Sequence, residues 1–140
     1  SKKGNLFISI FFEFNSKKID FKIFSILNAY IVKKILNKYS KSKIIIKWPN
    51  DLLIAGKKIC GILQEVIEFN DKKYLIIGIG INSLHNPNNK SFKSISLKKI
   101  SNRIIDNTVI LNDIILAYEK FLSDIRKYKI SYLKRSYCKD

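Results

Sequence analysis

The chain has 140 residues, 46% of them hydrophobic, with 27 basic against 11 acidic side chains and a net charge of +16. That is enough for one domain with its own core; no apolar run reaches transmembrane length, and SKKGNLFISI lacks the apolar stretch and small-residue cleavage site of a signal peptide. Two cysteines, Cys60 and Cys138, and a single histidine, His85, make no metal or redox pattern and leave little material for a Ser-His or Cys-His catalytic pair.

The basic excess is mostly lysine: the three arginines, Arg103, Arg126 and Arg135, leave 24 lysines among the 27 basic residues. Lysine, isoleucine and asparagine abound together, as an A/T-rich gene would produce, and the lysines are spread along the chain. Specific nucleic-acid recognition draws more on arginine for bidentate and stacking contacts, so charge alone argues only for non-specific attraction. Two cysteines without a metal or redox pattern fit a reducing, cytoplasmic compartment, and Cys60, in an apolar run, reads as a small buried hydrophobe. No Met occurs, from which a processed or truncated product is expected.

In chain order, Asn5 to Phe14 is almost continuously apolar and reads as a buried strand, and Asn15 to Lys18 as a polar turn. Asp20 caps a helix whose apolar residues Ile23, Phe24, Leu27, Tyr30, Ile31 and Ile35 form one stripe. Lys33, Lys34 and Lys38 suit its C-terminal dipole. Ile44 to Ile46 reads as a second buried strand running into Lys47 and Trp48. Pro49 ends that strand, since its fixed φ and missing N–H keep it out of a paired interior.

The densest stretch is Lys47 to Glu65, KWPNDLLIAGKKICGILQE. Leu52 to Ile54 and Lys57 to Glu65 read as a hairpin closed at Ala55-Gly56. A regular ladder pairs Ile54 with Lys57, Leu53 with Lys58, Leu52 with Ile59, Asp51 with Cys60 and Asn50 with Gly61. Side chains alternate with period two, so Asp51, Leu53, Lys58 and Cys60 share one face and Gly61 leaves space beside Asn50. A carboxylate, an ammonium and a carboxamide beside bare backbone suit an anionic ligand; a solvated surface hairpin has the same pattern.

Asn70-Asp71 marks the next turn, and Lys73 to Ile81 the next strand. Gly78 and Gly80 fall on one of its faces, with Asn82 continuing it, and Ile77, Ile79 and Ile81 on the other. Two glycines at this spacing make a trough in which a flat ligand can lie on the backbone; close packing of a neighbouring element would use them equally well. The segment GIGIN lacks the third glycine and the immediate helix of a dinucleotide fingerprint. Residues 83–94 read as a polar loop that leaves His85 exposed. Ser96 caps a short helix to about Ile105. Asn112 caps a last helix carrying Ile115, Leu116, Phe121, Leu122 and Ile125, with Tyr128 near its end; the basic tail SYLKRSYCKD extends it. This order of elements gives an α+β domain with a mixed, mainly antiparallel sheet backed by helices.

KWPND followed at this distance by K-x-x-G-I-L-x-E resembles the signature of biotin protein ligases, and YLIIGIGIN resembles the glycine strand that follows it there. GNLFISI, SISLKKI and the final helix with SYLKRSY are similar to further elements of the same family, so the likeness spans residues 1–140. It implies a class II aminoacyl-tRNA synthetase-like fold and ATP-dependent activation of biotin to biotinyl-5′-AMP, with Mg²⁺ accompanying ATP. The biotin then passes to a lysine of a biotin carboxyl carrier domain. No membrane and no specific nucleic acid is implied, and a homodimer is compatible.

By this resemblance Lys58 is the catalytic residue, binding the biotin carboxylate and stabilising charge as the adenylate forms. Gly61, Gly78 and Gly80 let ligand approach backbone, Asn82 contacts the adenylate, and Asn50 and Asp51 fix Lys58 or a hydrated metal. No protein metal site is implied, and Trp48 is assigned to core packing. The chain departs from the family in lacking its Gly-Arg-Gly-Arg loop, the upstream biotin-pocket strand and the C-terminal β-barrel cap. These departures imply weak or absent adenylation by this chain alone. Two alternatives stand beside the ligase: a non-catalytic remnant of one, and a lipoate or octanoate ligase, against which KWPND and GILQE argue.

Overall fold

A computed structural model describes residues 4–15, 17, 20–127 and 130–138. Five strands form one sheet in the order β1-β5-β4-β3-β2: β1 Leu6–Glu13, β2 Ile45–Lys47, β3 Asp51–Ile54, β4 Lys57–Phe69 and β5 Lys72–Ile81. Among the described residues every ladder is antiparallel, and the one parallel link is an isolated bridge between Lys58 and Ser94. Helices α1 Phe21–Leu36, α2 Leu97–Ile100, α3 Asn107–Lys127 and α4 Ile130–Tyr137 complete the chain.

Local chemistry sets the two hairpins that matter. Ala55 and Gly56 have φ of 48° and 75°, and Asn70 and Asp71 of 50° and 61°. Two successive positive φ values give the turn whose twist matches paired strands, so both turns read from sequence close hairpins. Asp20 caps α1, its side chain accepting from the Lys22 N–H at 2.7 Å.

The core lies on one face of the sheet. Leu75, Ile77, Ile79 and Ile81 of β5 face it with Ile62 of β4, and Leu27, Val32 and Leu36 of α1 and Ile110, Ile114 and Phe121 of α3 close it. Phe24 stands among Phe12, Phe14 and Phe121 with ring centroids 5.4–5.8 Å apart, tying β1, α1 and α3 together. A buried polar link runs through this layer: the Tyr118 hydroxyl donates to Asn28 Oδ1 at 3.0 Å, the Asn28 amide donates to Gln64 Oε1, and the Gln64 amide donates to the Phe21 carbonyl.

Several expectations need correction. β1 is an edge strand, so its residues alternate between half-buried and exposed and Phe7 and Phe11 stand in solvent. The short β2 is the opposite edge; Ile44 is buried, but Ile45 is exposed. Trp48, expected in the core, is exposed, because the Trp48–Asn50 turn projects from that outer edge. Ser96 stands at the start of α2 without a side-chain cap bond, and the helix stops at Ile100. α3 begins at Asn107, five residues before Asn112, where the Asp106 side chain accepts from the Thr108 N–H. Its buried stripe is Ile110, Ile114, Tyr118 and Phe121, and Ile115 and Leu116 face out. The tail continues as the separate helix α4, which buries Leu133. Tyr128, Ser16, Lys18, Lys139 and Asp140, included in the expected last helix, turn and tail, lie outside the described residues. Among the described residues no helix is long and apolar enough to cross a membrane.

Candidate functional site

The site sits on the face of the sheet that the helices leave open. Its centre is an irregularity in β4. Ile54 pairs with Lys57 and Leu53 with Lys58, as the regular ladder requires, but Leu52 then pairs with Cys60 and Asp51 with Gly61. Ile59 is the extra residue of a β-bulge. One added residue reverses the alternation, so Lys58 and Gly61, three apart, lie on the same open face, whereas a regular strand would put them on opposite faces. Ile59, Cys60 and Ile62 are buried in the core. Cys60 therefore leaves the open face expected of it, and its place opposite Asp51 passes to Gly61. Burial pushes the Cys60 thiol pKa upward, which keeps it protonated and unreactive.

Lys58 Nζ lies 2.9 Å from Asp51 Oδ1, with about a quarter of each side chain exposed. The two residues thus share a face, as the spacing predicts. The space over Gly61 is not empty, however. A Cβ there would stand 3.0 Å from both Cε and Nζ of Lys58 and 3.6 Å from Asp51 Oδ1. The lysine stem crosses the glycine, and this contact requires residue 61 to have no side chain. Asn50 holds the neighbouring strand, its carbonyl accepting from the Ile62 N–H at 2.8 Å.

The glycine trough lies next to this pair. Gly61 pairs with Gly80 and Leu63 with Gly78 across β4 and β5, and Phe7 pairs with Gly80 and Ser9 with Gly78 across β1 and β5. A Cβ on Gly80 would meet the Phe7 ring at 3.2 Å, whereas at Gly78 the nearest contact is Leu63 Cβ at 3.9 Å. Gly80 thus serves close packing of an aromatic ring, and Gly78 opens the floor. Asn82 braces the lysine from behind: its Nδ2 donates to the Lys58 carbonyl at 3.1 Å, and its N–H donates to the Ile59 carbonyl at 2.9 Å.

All seven expected residues, Asn50, Asp51, Lys58, Gly61, Gly78, Gly80 and Asn82, line one groove of about 480 Å³. Among its other walls, Phe7, Ser9 and Leu63 from the strands and Pro87 and Phe92 from the loop after β5 went unassigned in the sequence. Phe7 and Ser9 were legible in principle, being the residues of β1 in phase with the glycines. Phe92 carried one signal, a lone aromatic in a polar loop. The arrangement offers one cation for an anionic group, bare backbone for a flat ring and apolar walls, the composition of a small-molecule site. Among the described residues no three His, Cys, Asp or Glu side chains come together.

The model of the Biotin/lipoate A/B protein ligase family matches residues 1–82, from before β1 to Asn82. The bifunctional ligase/repressor BirA of Escherichia coli is 32% identical over 80 residues, covering 56% of this chain and 25% of the relative. BirA of Bacillus subtilis is 57% identical over 44 residues, covering 31% and 14%. In fold, the biotin protein ligase from Aquifex aeolicus in complex with biotin and ATP matches 93% of this chain and 56% of its own with a TM-score of 0.71, at 22% identity. The chain thus spans a quarter or less of these BirA relatives and a little over half of the structural neighbour. The family match covers more than half of the sequence and contains every residue of the groove up to Asn82: the chain belongs to the Biotin/lipoate A/B protein ligase family.

Proposed function

We propose that the protein works as a biotin protein ligase, activating biotin with ATP to biotinyl-5′-AMP for transfer to an acceptor lysine. The observation that carries this reading is the Lys58 ammonium, held 2.9 Å from Asp51 and crossing Gly61 at the head of the Gly78–Gly80 trough. The biotin bicycle lies in the trough with its carboxylate toward Lys58. One carboxylate oxygen attacks the α-phosphorus of ATP, an O–P bond forms, the α–β bridge breaks and pyrophosphate leaves. Lys58 offsets negative charge on the reacting oxygens. The amine of the acceptor lysine then attacks the carbonyl carbon, and AMP departs.

Asn82 and Asp51 act on Lys58, from its carbonyl and its ammonium respectively. Asn50 and Asp51 form the polar end of the groove, where the nucleotide would lie. Mg²⁺ would accompany the ATP phosphates and offset their charge; Asp51 is the one carboxylate among the described residues lining the groove. The acceptor is a biotin carboxyl carrier domain. The buried thiol of Cys60 fits a cytoplasmic setting.

The test is binding rather than turnover: biotin and a non-hydrolysable biotinyl-adenylate analogue are titrated calorimetrically into the chain and into Lys58→Ala, with lipoate and octanoate as competitors. The reading expects the wild type to bind the biotinyl compound and Lys58→Ala to bind at least tenfold more weakly, the scale of one charge-assisted bond. Equal binding by Lys58→Ala, or displacement by lipoate at lower concentration than biotin, overturns it.

A further inference from the structure

Phe92 has no role in the reading above. It is a large apolar side chain, 40% exposed, in an otherwise polar loop. Its ring lies under the same ammonium that Asp51 holds: Lys58 Nζ is 5.0 Å from the ring centroid, within the range at which an ammonium is attracted to an aromatic face. The loop that carries it is fastened to Lys58 itself. The Lys58 N–H donates to the Lys93 carbonyl at 2.9 Å and the Ile95 N–H donates to the Lys58 carbonyl at 3.0 Å, forming the parallel bridge between Lys58 and Ser94. Ser94 Oγ closes the base of the loop by donating to the Pro87 carbonyl at 2.7 Å. Residues 93 to 95 are thereby indexed to the peptide unit of Lys58, and the ring of Phe92 is indexed to its side chain.

We propose that Phe92 is a positioning residue for Lys58, its ring holding the ammonium at the head of the trough. A lysine stem has four rotatable bonds, and a carboxylate on one side does not by itself fix where the charge stands. Asp51, Phe92 and the bare backbone of Gly61 bound it on three sides. When a ligand carboxylate arrives, the ammonium can form the new ion pair without leaving the ring, because the aromatic contact uses the face of the ring and no hydrogen-bond donor. An aliphatic residue at 92 fills the same volume but has no quadrupole, and leaves the lysine to swing between Asp51 and solvent.

The proposal rests on the reading of Lys58 as the carboxylate-binding group, and its first test is independent of that reading. Protein labelled with ¹³C-lysine is compared as wild type, Phe92→Leu and Phe92→Tyr, with the Lys58 Cε–Hε signal identified by its loss in Lys58→Arg. The wild-type signal is displaced by the ring current; it moves to the ordinary lysine position in Phe92→Leu and stays displaced in Phe92→Tyr. An unchanged Lys58 signal in Phe92→Leu overturns the proposal whatever the ligand is. Thermal melting confirms that both variants fold, and the aromatic substitution keeps the comparison interpretable if the leucine variant does not. The second arm titrates biotin. Phe92→Leu binds about threefold to tenfold more weakly and Phe92→Tyr binds as the wild type does; equal weakening in both variants means a merely structural loop residue and overturns the proposal. If the wild type binds no biotin, the biotin reading fails, and the lysine signal still decides the role of Phe92.

Discussion

Glycine 61 does more in this protein than allow a turn or a bend. Its backbone is in an ordinary strand, opposite Asp51 on one side and Gly80 on the other, and what it supplies is room for another residue's stem. The Cβ of an alanine would stand 3.0 Å from Cε and Nζ of Lys58, so one of the two must move, and the flexible end of the lysine is the cheaper. Gly61→Ala is therefore expected to fold with near wild-type stability, within about 1 kcal/mol, while biotin binding falls about tenfold because the ammonium is displaced from Asp51. Chemical denaturation alongside calorimetry separates the two: a large loss of stability with unchanged affinity would show that the glycine serves the fold. The space over Gly61, read as room for a ligand, holds the lysine stem. That Lys58 and Gly61 line one groove was legible in the sequence, since the pattern K-x-x-G carries both. Their meeting on one face was not, because strict alternation separates residues three apart and the bulge that unites them has no residue signature in KKICG.

At the scale of elements, the sheet was more legible than the helices. The hairpin turns were marked by Gly56, Asn70 and Asp71, which tolerate positive φ, and the alternation in YLIIGIGI separated the Ile face from the Gly face correctly. The edge strands were misread because NLFISIFF and III look alike whether both faces are covered or one. The start of α3 was misread because Asn107, Asn112 and Asp106 are all competent caps, and packing of Ile110 against the core chose the earliest. The link from Tyr118 through Asn28 to Gln64 joins α3, α1 and β4. Asn28 is fully buried, so Asn28→Leu takes the acceptor from the Tyr118 hydroxyl and the donor from Gln64 Oε1, while the Gln64 amide keeps the Phe21 carbonyl. The expected loss is roughly 1–3 kcal/mol for each group left without a partner, read from urea unfolding. Tyr118→Phe with Asn28→Leu should lose less than the sum of the single changes.

For the molecule as a whole, the design is one-sided: helices cover one face, and the other holds the site at one end and exposed Phe11, Ile67 and Phe69 at the other. Three tyrosines on the helical side tune its response to alkali. Burial, reinforced by donation to Asp113, pushes the Tyr39 hydroxyl up to about 12. Tyr118 is raised by burial, and Tyr137 by burial and its bond to Asp124. Each holds its proton more tightly folded than unfolded, so its contribution is fully present below pH 10 and is lost as pH rises through the folded value. Stability should therefore be flat from pH 8 to 10 with respect to these groups and fall from pH 10 to 12. Tyr39→Phe should fall less steeply over that interval. Urea midpoints across the range check the sign; a rise above pH 10 would contradict it.

The bulge at Ile59 also sets which length changes the gene can carry. A single residue gained or lost between Lys58 and Gly61 would exchange inside for outside, turning either the lysine into the core or Cys60 and Ile62 out of it. The same change at the Asn70-Asp71 tip, where β4 and β5 project past the helices with both faces open from Val66 to Phe69, alters only a turn. Within one hairpin, then, the reading frame of faces is locked at the site and free at the tip, and length variation among natural versions of this strand pair should gather at the tip.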